Sequence, residues 1–120
     1  MITEGYFAQI KNYPETDILI CVARKYPWFI DKDKMEHNRI LAPHPELLED
    51  WKNGDITWEE YEERFRFDML HYTKPLREFR YLRDLAENSV VRLMCWEKSP
   101  PCHRFILLDM FSESPQRVRK

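Results

Sequence analysis

Val90-Val91-Arg92-Leu93-Met94-Cys95-Trp96-Glu97-Lys98-Ser99-Pro100-Pro101-Cys102-His103-Arg104 is the stretch whose reading decides the fold class. Residues 90–96 are β-branched and apolar with a single charge. A short run of this kind between turn signals reads as a strand buried on both faces. Asn88-Ser89 punctuates it upstream. Ser99-Pro100-Pro101 stops it downstream, because proline has no N–H for the ladder. Ser99 suits an N-cap and Pro100 the first helical position. Phe105, Leu108 and Met110-Phe111 then supply an apolar helical face.

This reading puts Cys102 in the first turn of a helix. Free N–H groups and the helix dipole favour negative charge there. A thiol beside Arg104 or a protonated His103 gains thiolate character. Strand exits that lead into helix N-termini are also where α/β folds place ligands. Packing offers a plainer account. Cysteine is often a small buried hydrophobe, and Cys95, inside the strand, reads as core. Cys102 divides between site and packing, His103 between site and solvent. Arg104 reads, on that account, as a cap on carbonyls or a partner of Glu97. Neighbours on a helix point about 100° apart, so Cys102, His103 and Arg104 cannot all turn their side chains to one small ligand.

Outward from this block, Tyr6 to Lys11 suggests a short strand, and residues 12–16 are turn chemistry. Residues 17–23 form a second continuous apolar run, again a buried strand, with Cys21 in the core. It exits through Arg24-Lys25-Tyr26-Pro27-Trp28-Phe29. If the strands ending at Ala23 and Trp96 are parallel neighbours, the two exits share one sheet edge. Arg24 then approaches the Cys102 terminus and forms an anion pocket with it. Residues 31–39 are polar and mixed in charge, reading as a loop or short helix.

Pro45 opens a helix with Leu47, Leu48 and Trp51 facing inward, and Gly54 follows its end. Thr57 and Glu60 form a capping box. Trp58, Tyr61, Phe65, Met69 and Tyr72 continue at helical spacing. After Pro75, residues Leu76, Phe79, Leu82 and Leu85 mark another helix. The order strand, strand, three helices, strand, helix is that of an α/β protein. The expectation is one small domain over residues 1–112, with a mostly parallel sheet of three or four strands covered by helices. Residues 113–120 read as a flexible basic tail.

Composition narrows the function. The net charge of -2 gives no global basic field for nucleic acid. Two glycines rule out a Gly-rich phosphate loop. The odd cysteine count of three and a start without signal character point to a reduced, cytoplasmic setting. No stretch reaches membrane length. Metal binding by Cys95, Cys102 and His103, with Cys21 as a further ligand, is the weaker alternative: the spacing is unlike zinc ribbons or fingers and neighbouring Cys and His rarely ligate one ion, so no metal and no cofactor are expected.

The chain resembles the "domain of unknown function 488" family, especially its short archaeal, bacterial and phage-type members. The resemblance rests on Tyr6-Phe7-Ala8, on Ile20-Cys21-Val22-Ala23-Arg24 with Pro27, and on Leu41-Ala42-Pro43 with Glu46-Leu47 and Trp51-Lys52. Its most specific part is Leu93-Met94-Cys95-Trp96-Glu97-Lys98 leading to Cys102-His103-Arg104. Trp96 stands where the family usually has Tyr or alanine, and Ser99-Pro100-Pro101 replaces a more acidic linker. The resemblance implies a compact α/β fold with a site built from Arg24, Cys95, Glu97, Cys102, His103 and Arg104. It supplies no reaction.

The reading that follows is a thiol-dependent enzyme acting on an anionic small molecule or nucleotide. Cys102 is nucleophile or redox centre, with Cys95 as a resolving thiol if the side chains converge. His103 or Glu97 is acid/base. Arg24 and Arg104 bind the anion. The alternatives are a non-catalytic module for nucleotide or nucleic-acid phosphate, using Arg24, Lys25, Lys98 and Arg104, or an interaction protein. The oligomeric state is left open.

Overall fold

The computed structural model describes residues 1–113. Strand β1 (Ile2–Tyr6) leads into a 3-10 helix (Phe7–Asn12), followed by β2 (Ile18–Cys21) and β3 (Glu36–His37). After the 3-10 turn Arg39–Leu41 come helices α1 (Pro45–Lys52), α2 (Trp58–Leu70) and α3 (Thr73–Ala86). Strand β4 (Val91–Cys95) and helix α4 (His103–Glu113) complete the described chain.

The sheet order is β1-β4-β2-β3, and every pairing is parallel. β4 lies inside the sheet with Val91, Leu93, Met94 and Cys95 buried, as its unbroken apolar composition requires. Cys21 of β2 is in register with Met94 of β4, and the Val22 N–H extends the ladder to the Met94 carbonyl at 3.0 Å. The exits of β2 and β4 therefore share one edge of the sheet, the condition that the proposed anion pocket depended on. Helices α3 and α4 pack against β4 and meet through Phe79 and Phe111, 4.7 Å between ring centroids. Cys21 is fully buried, and burial pushes its thiol up to about 11.

The strand expected over Tyr6–Lys11 is instead the 3-10 helix Phe7–Asn12, and the true strand precedes it. Ile2–Tyr6 is an edge strand carrying Thr and Glu, so it lacks an apolar run. Its conformation is imposed by pairing with β4. Phe7 then turns into the core, and the Tyr6 N–H donates to the Tyr13 hydroxyl at 3.1 Å. Residues 31–39 contain β3, which adds to β2 through backbone pairing alone. A two-residue edge strand needs no hydrophobic pattern.

The last helix begins at His103, so Ser99 is not its cap and Pro100 is not its first residue. Pro101 disfavours helical backbone at Pro100. Cys102 takes the capping position instead, its carbonyl accepting from the Phe105 N–H at 3.0 Å. The capping box at Thr57 and Glu60 is present in both directions. Gly54, with φ +77, follows the αR Asn53 that ends α1, the left-handed position that glycine fills without strain. Helix α4 extends through Glu113, which accepts from Arg66. The rest of the expected basic tail, residues 114–120, lies outside the described residues.

Candidate functional site

Three side chains from two elements meet at the carboxyl edge of the sheet. Cys95 is the last residue of β4, Cys102 caps α4, and His103 is the first residue of α4. Their ligating atoms all lie within 4.8 Å of one another. All three residues are buried. The thiols separated by six residues in sequence thus converge, and His103 is not solvated. The turn 96–101 brings the helix start back over the strand end.

His103 is held by the neighbouring strand. Its Nε2–H donates to the Val22 carbonyl at 2.7 Å, and its ring stands edge-on to Phe65 at 5.5 Å. That bond turns Nδ1 toward Cys102 Sγ, 3.9 Å away. A base oriented by a third group and facing a thiol is the arrangement nucleophilic sites use. The same fixed tautomer also suits a metal ligand, so Cys95, Cys102 and His103 could hold a metal ion.

Arg104 is fully buried, and its partner is Glu4 of β1 rather than Glu97. Its Nε and Nη2 each approach Glu4 Oε1 at 2.9 Å. Nη2 also donates to the Lys98 carbonyl at 3.3 Å, and Nη1 donates to Cys102 Sγ at 3.5 Å. The guanidinium is therefore occupied by Glu4, a carbonyl and the sulfur. Glu97 instead accepts from the Cys95 thiol, with Sγ and Oε1 3.8 Å apart.

These contacts divide the two thiols. Cys102 is pushed well below the ordinary thiol range, first by a hydrogen bond from the Cys95 thiol, which outweighs the opposing effect of burial. The His103 hydrogen bond and charge, and the Arg104 backbone N–H at the helix start, act in the same direction. Cys95 is pushed up by its hydrogen bond to Cys102 and by burial. The hydrogen bond between the two thiols thus favours the charge on Cys102 and the proton on Cys95. Burial, and then the charge on Cys102, raise Glu97 above the usual carboxylate range.

Beside the cluster is a cavity of about 770 Å³. Cys95, Glu97 and His103 form one wall, and Cys102 is not among the lining residues. Arg24, Lys25, Arg39 and Lys52 outnumber the two lining carboxylates, Glu49 and Glu97. The sequence singled out Arg24, whose Nη1 donates to the Pro43 carbonyl at 3.1 Å. Arg104 does not line the cavity, so the two arginines do not share one. Trp96, 46% exposed, lines the rim and rests on Phe7 and Phe29.

Arg39, Lys52, Glu4 and Tyr61 were not anticipated here. Arg39 and Lys52 sit in a polar connector and at a helix end, without a local signal. Glu4 lies in the strand that composition concealed. Tyr61, read as core and indeed buried, is close enough for the charges of Cys102, Cys95 and Glu97 to raise its hydroxyl further after burial has done so.

The fold and cluster define a small parallel α/β protein with a buried dithiol–imidazole group at the carboxyl edge of its sheet. The chain belongs to the domain of unknown function 488 family: the family profile described as the active DUF488-N3 subclade matches residues 6–115. No curated protein and no solved structure gave a significant match. Among the described residues, no helix is long and apolar enough to cross a membrane.

Proposed function

We propose that the cluster is the reactive centre of a thiol-dependent enzyme acting on an anionic small molecule held in the adjoining cavity. The observation that carries this reading is the environment of Cys102 Sγ: the Arg104 guanidinium at 3.5 Å, His103 Nδ1 at 3.9 Å and the start of α4. Each favours the thiolate, and the thiolate is the nucleophilic form of cysteine. The cavity supports an anionic ligand, because Arg24, Lys25, Arg39 and Lys52 line it.

The roles follow from position. Cys102 stores the negative charge, and His103, fixed by Val22, faces it as the acid/base group. Cys95 and Glu97 form the part of the centre that opens to the cavity. Arg24 belongs to the ligand, whereas Arg104 belongs to the thiolate. The description of the matched subclade as active agrees with a catalytic reading.

Paired alkylating reagents test this. Iodoacetate and iodoacetamide differ chiefly in charge. Relative to a free thiol, the Cys95–Cys102 pair is expected to favour iodoacetate. Replacing Arg24 and Lys52 with Ala should lower that preference about tenfold, the size of a lost charge attraction of about 1.4 kcal/mol. A rate ratio equal to that of a free thiol, unchanged in the double variant, would count against the proposal.

A further inference from the structure

The two sulfurs do not stand equally toward the cavity. Cys95 is part of its wall and Cys102 is not. Cys102 is off that wall, with its sulfur no more than 4.8 Å from that of Cys95. A ligand seated among Arg24, Arg39 and Lys52 therefore meets Cys95 first. The Cys95 thiol in turn donates toward Glu97, which lines the same wall. A centre with a single nucleophile has no use for a second sulfur at this range. A centre that must discharge a mixed disulfide does.

We infer that the site exchanges disulfides: Cys95 attacks a small anionic disulfide in the cavity, and Cys102 resolves the product. This rests on the thiol reading above and names its substrate class. Cys95 gives its proton to Glu97 as its sulfur bonds to one sulfur of the substrate. The substrate S–S bond breaks, and one half leaves as a thiolate, which takes the proton from Glu97. The Cys102 thiolate then bonds to Cys95 Sγ, and the mixed S–S bond breaks. The second half leaves as a thiolate, carrying away the negative charge that Cys102 had held. The two protein thiols are oxidised to one disulfide, and one substrate disulfide is reduced to two thiols. Two equivalents of a small thiol return the centre to its starting state by the reverse steps.

The order of attack inverts the one the sequence implies, in which Cys102 at the helix start attacks and Cys95 resolves. The charged sulfur is the better nucleophile by ionisation, but it is not the one the cavity exposes. Cys102 is placed to act second, on a sulfur already beside it.

The test uses dithiobis(nitrobenzoate), a dianionic disulfide whose released thiolate absorbs visible light, against neutral dipyridyl disulfide. The intact chain should release both halves of the anionic reagent and lose two hydrogens in mass, with peptide mapping placing the bond between Cys95 and Cys102. Cys102→Ser should retain one half on Cys95. Cys95→Ser should react about tenfold more slowly or less, because Cys102 lies off the cavity. Equal rates for Cys95→Ser and the intact chain overturn the inference. So does a stable mixed disulfide on the intact chain, or equal preference for the neutral reagent. A stoichiometric metal ion in the purified protein that blocks exchange also overturns it, since both sulfurs would be ligands. If exchange fails while the iodoacetate preference persists, only the disulfide step is wrong. If both fail, the thiol reading falls with it.

Discussion

Arg104 shows how one buried side chain can serve fold and chemistry together. An arginine with no exposed surface needs a fixed counter-charge, and Glu4, whose side chain is 34% exposed, supplies it from β1. Removing one member of such a pair strands the other. Glu4→Gln is therefore expected to lower stability by about 3 kcal/mol, read as a shift of the denaturant midpoint without a change in slope. It should also raise the Cys102 thiol, because a guanidinium released from Glu4 no longer holds its place beside the sulfur. A Glu4→Gln protein as stable as the parent would mean that Arg104 is satisfied by Lys98 and Cys102 alone.

At the scale of elements, the junction between β1 and its surroundings is tight. A Cβ on Gly5 would lie 2.7 Å from the Tyr13 ring and 2.8 Å from the Arg92 side chain. Neither neighbour is free to move. Arg92 is paired with Asp17 at 2.9 Å and covers the Tyr13 ring at 4.1 Å, while the Tyr13 hydroxyl accepts from Tyr6. Gly5→Ala should cost about 2 kcal/mol, the usual scale of overpacking, measured by thermal or denaturant unfolding. A neutral substitution would show that Tyr13 can yield. Nothing in the sequence announces this constraint. β1 carries no local signal because an edge strand takes its shape from β4, and the glycine matters only once Tyr13 folds back over it. By contrast, β2, β4, α1 and α2 were legible, since continuous apolar runs, a capping box and 3–4 spacing are local signals. Cys102, expected inside the first turn of α4, is the residue just before it. The exact first residue was obscured by the two prolines.

The whole molecule brings distant pieces to one edge. The parallel neighbourhood of β2 and β4 sets Val22 against His103 and puts Arg24 on the same cavity as Cys95. Sequence could propose that edge from two strand exits. It could not show that Arg39 and Lys52 complete the cationic lining, or that Arg104 turns away from the cavity to Glu4, because those contacts depend on tertiary placement. The fold also separates the two thiols in sign. Cys102 is lowered, so its contribution to stability is complete above the ~8.5 of an unfolded thiol and is lost as pH falls through its folded value. Cys95 is raised, so its contribution is complete below ~8.5 and is lost as pH rises through its folded value. The most direct test is the ultraviolet thiolate absorbance of the intact chain against pH, compared with Cys102→Ser. One thiolate should persist well below ~8.5 and be absent from Cys102→Ser. Three thiols that all titrate at or above that value, with no difference between the two proteins below it, would mean that Cys102 is not a stabilised thiolate.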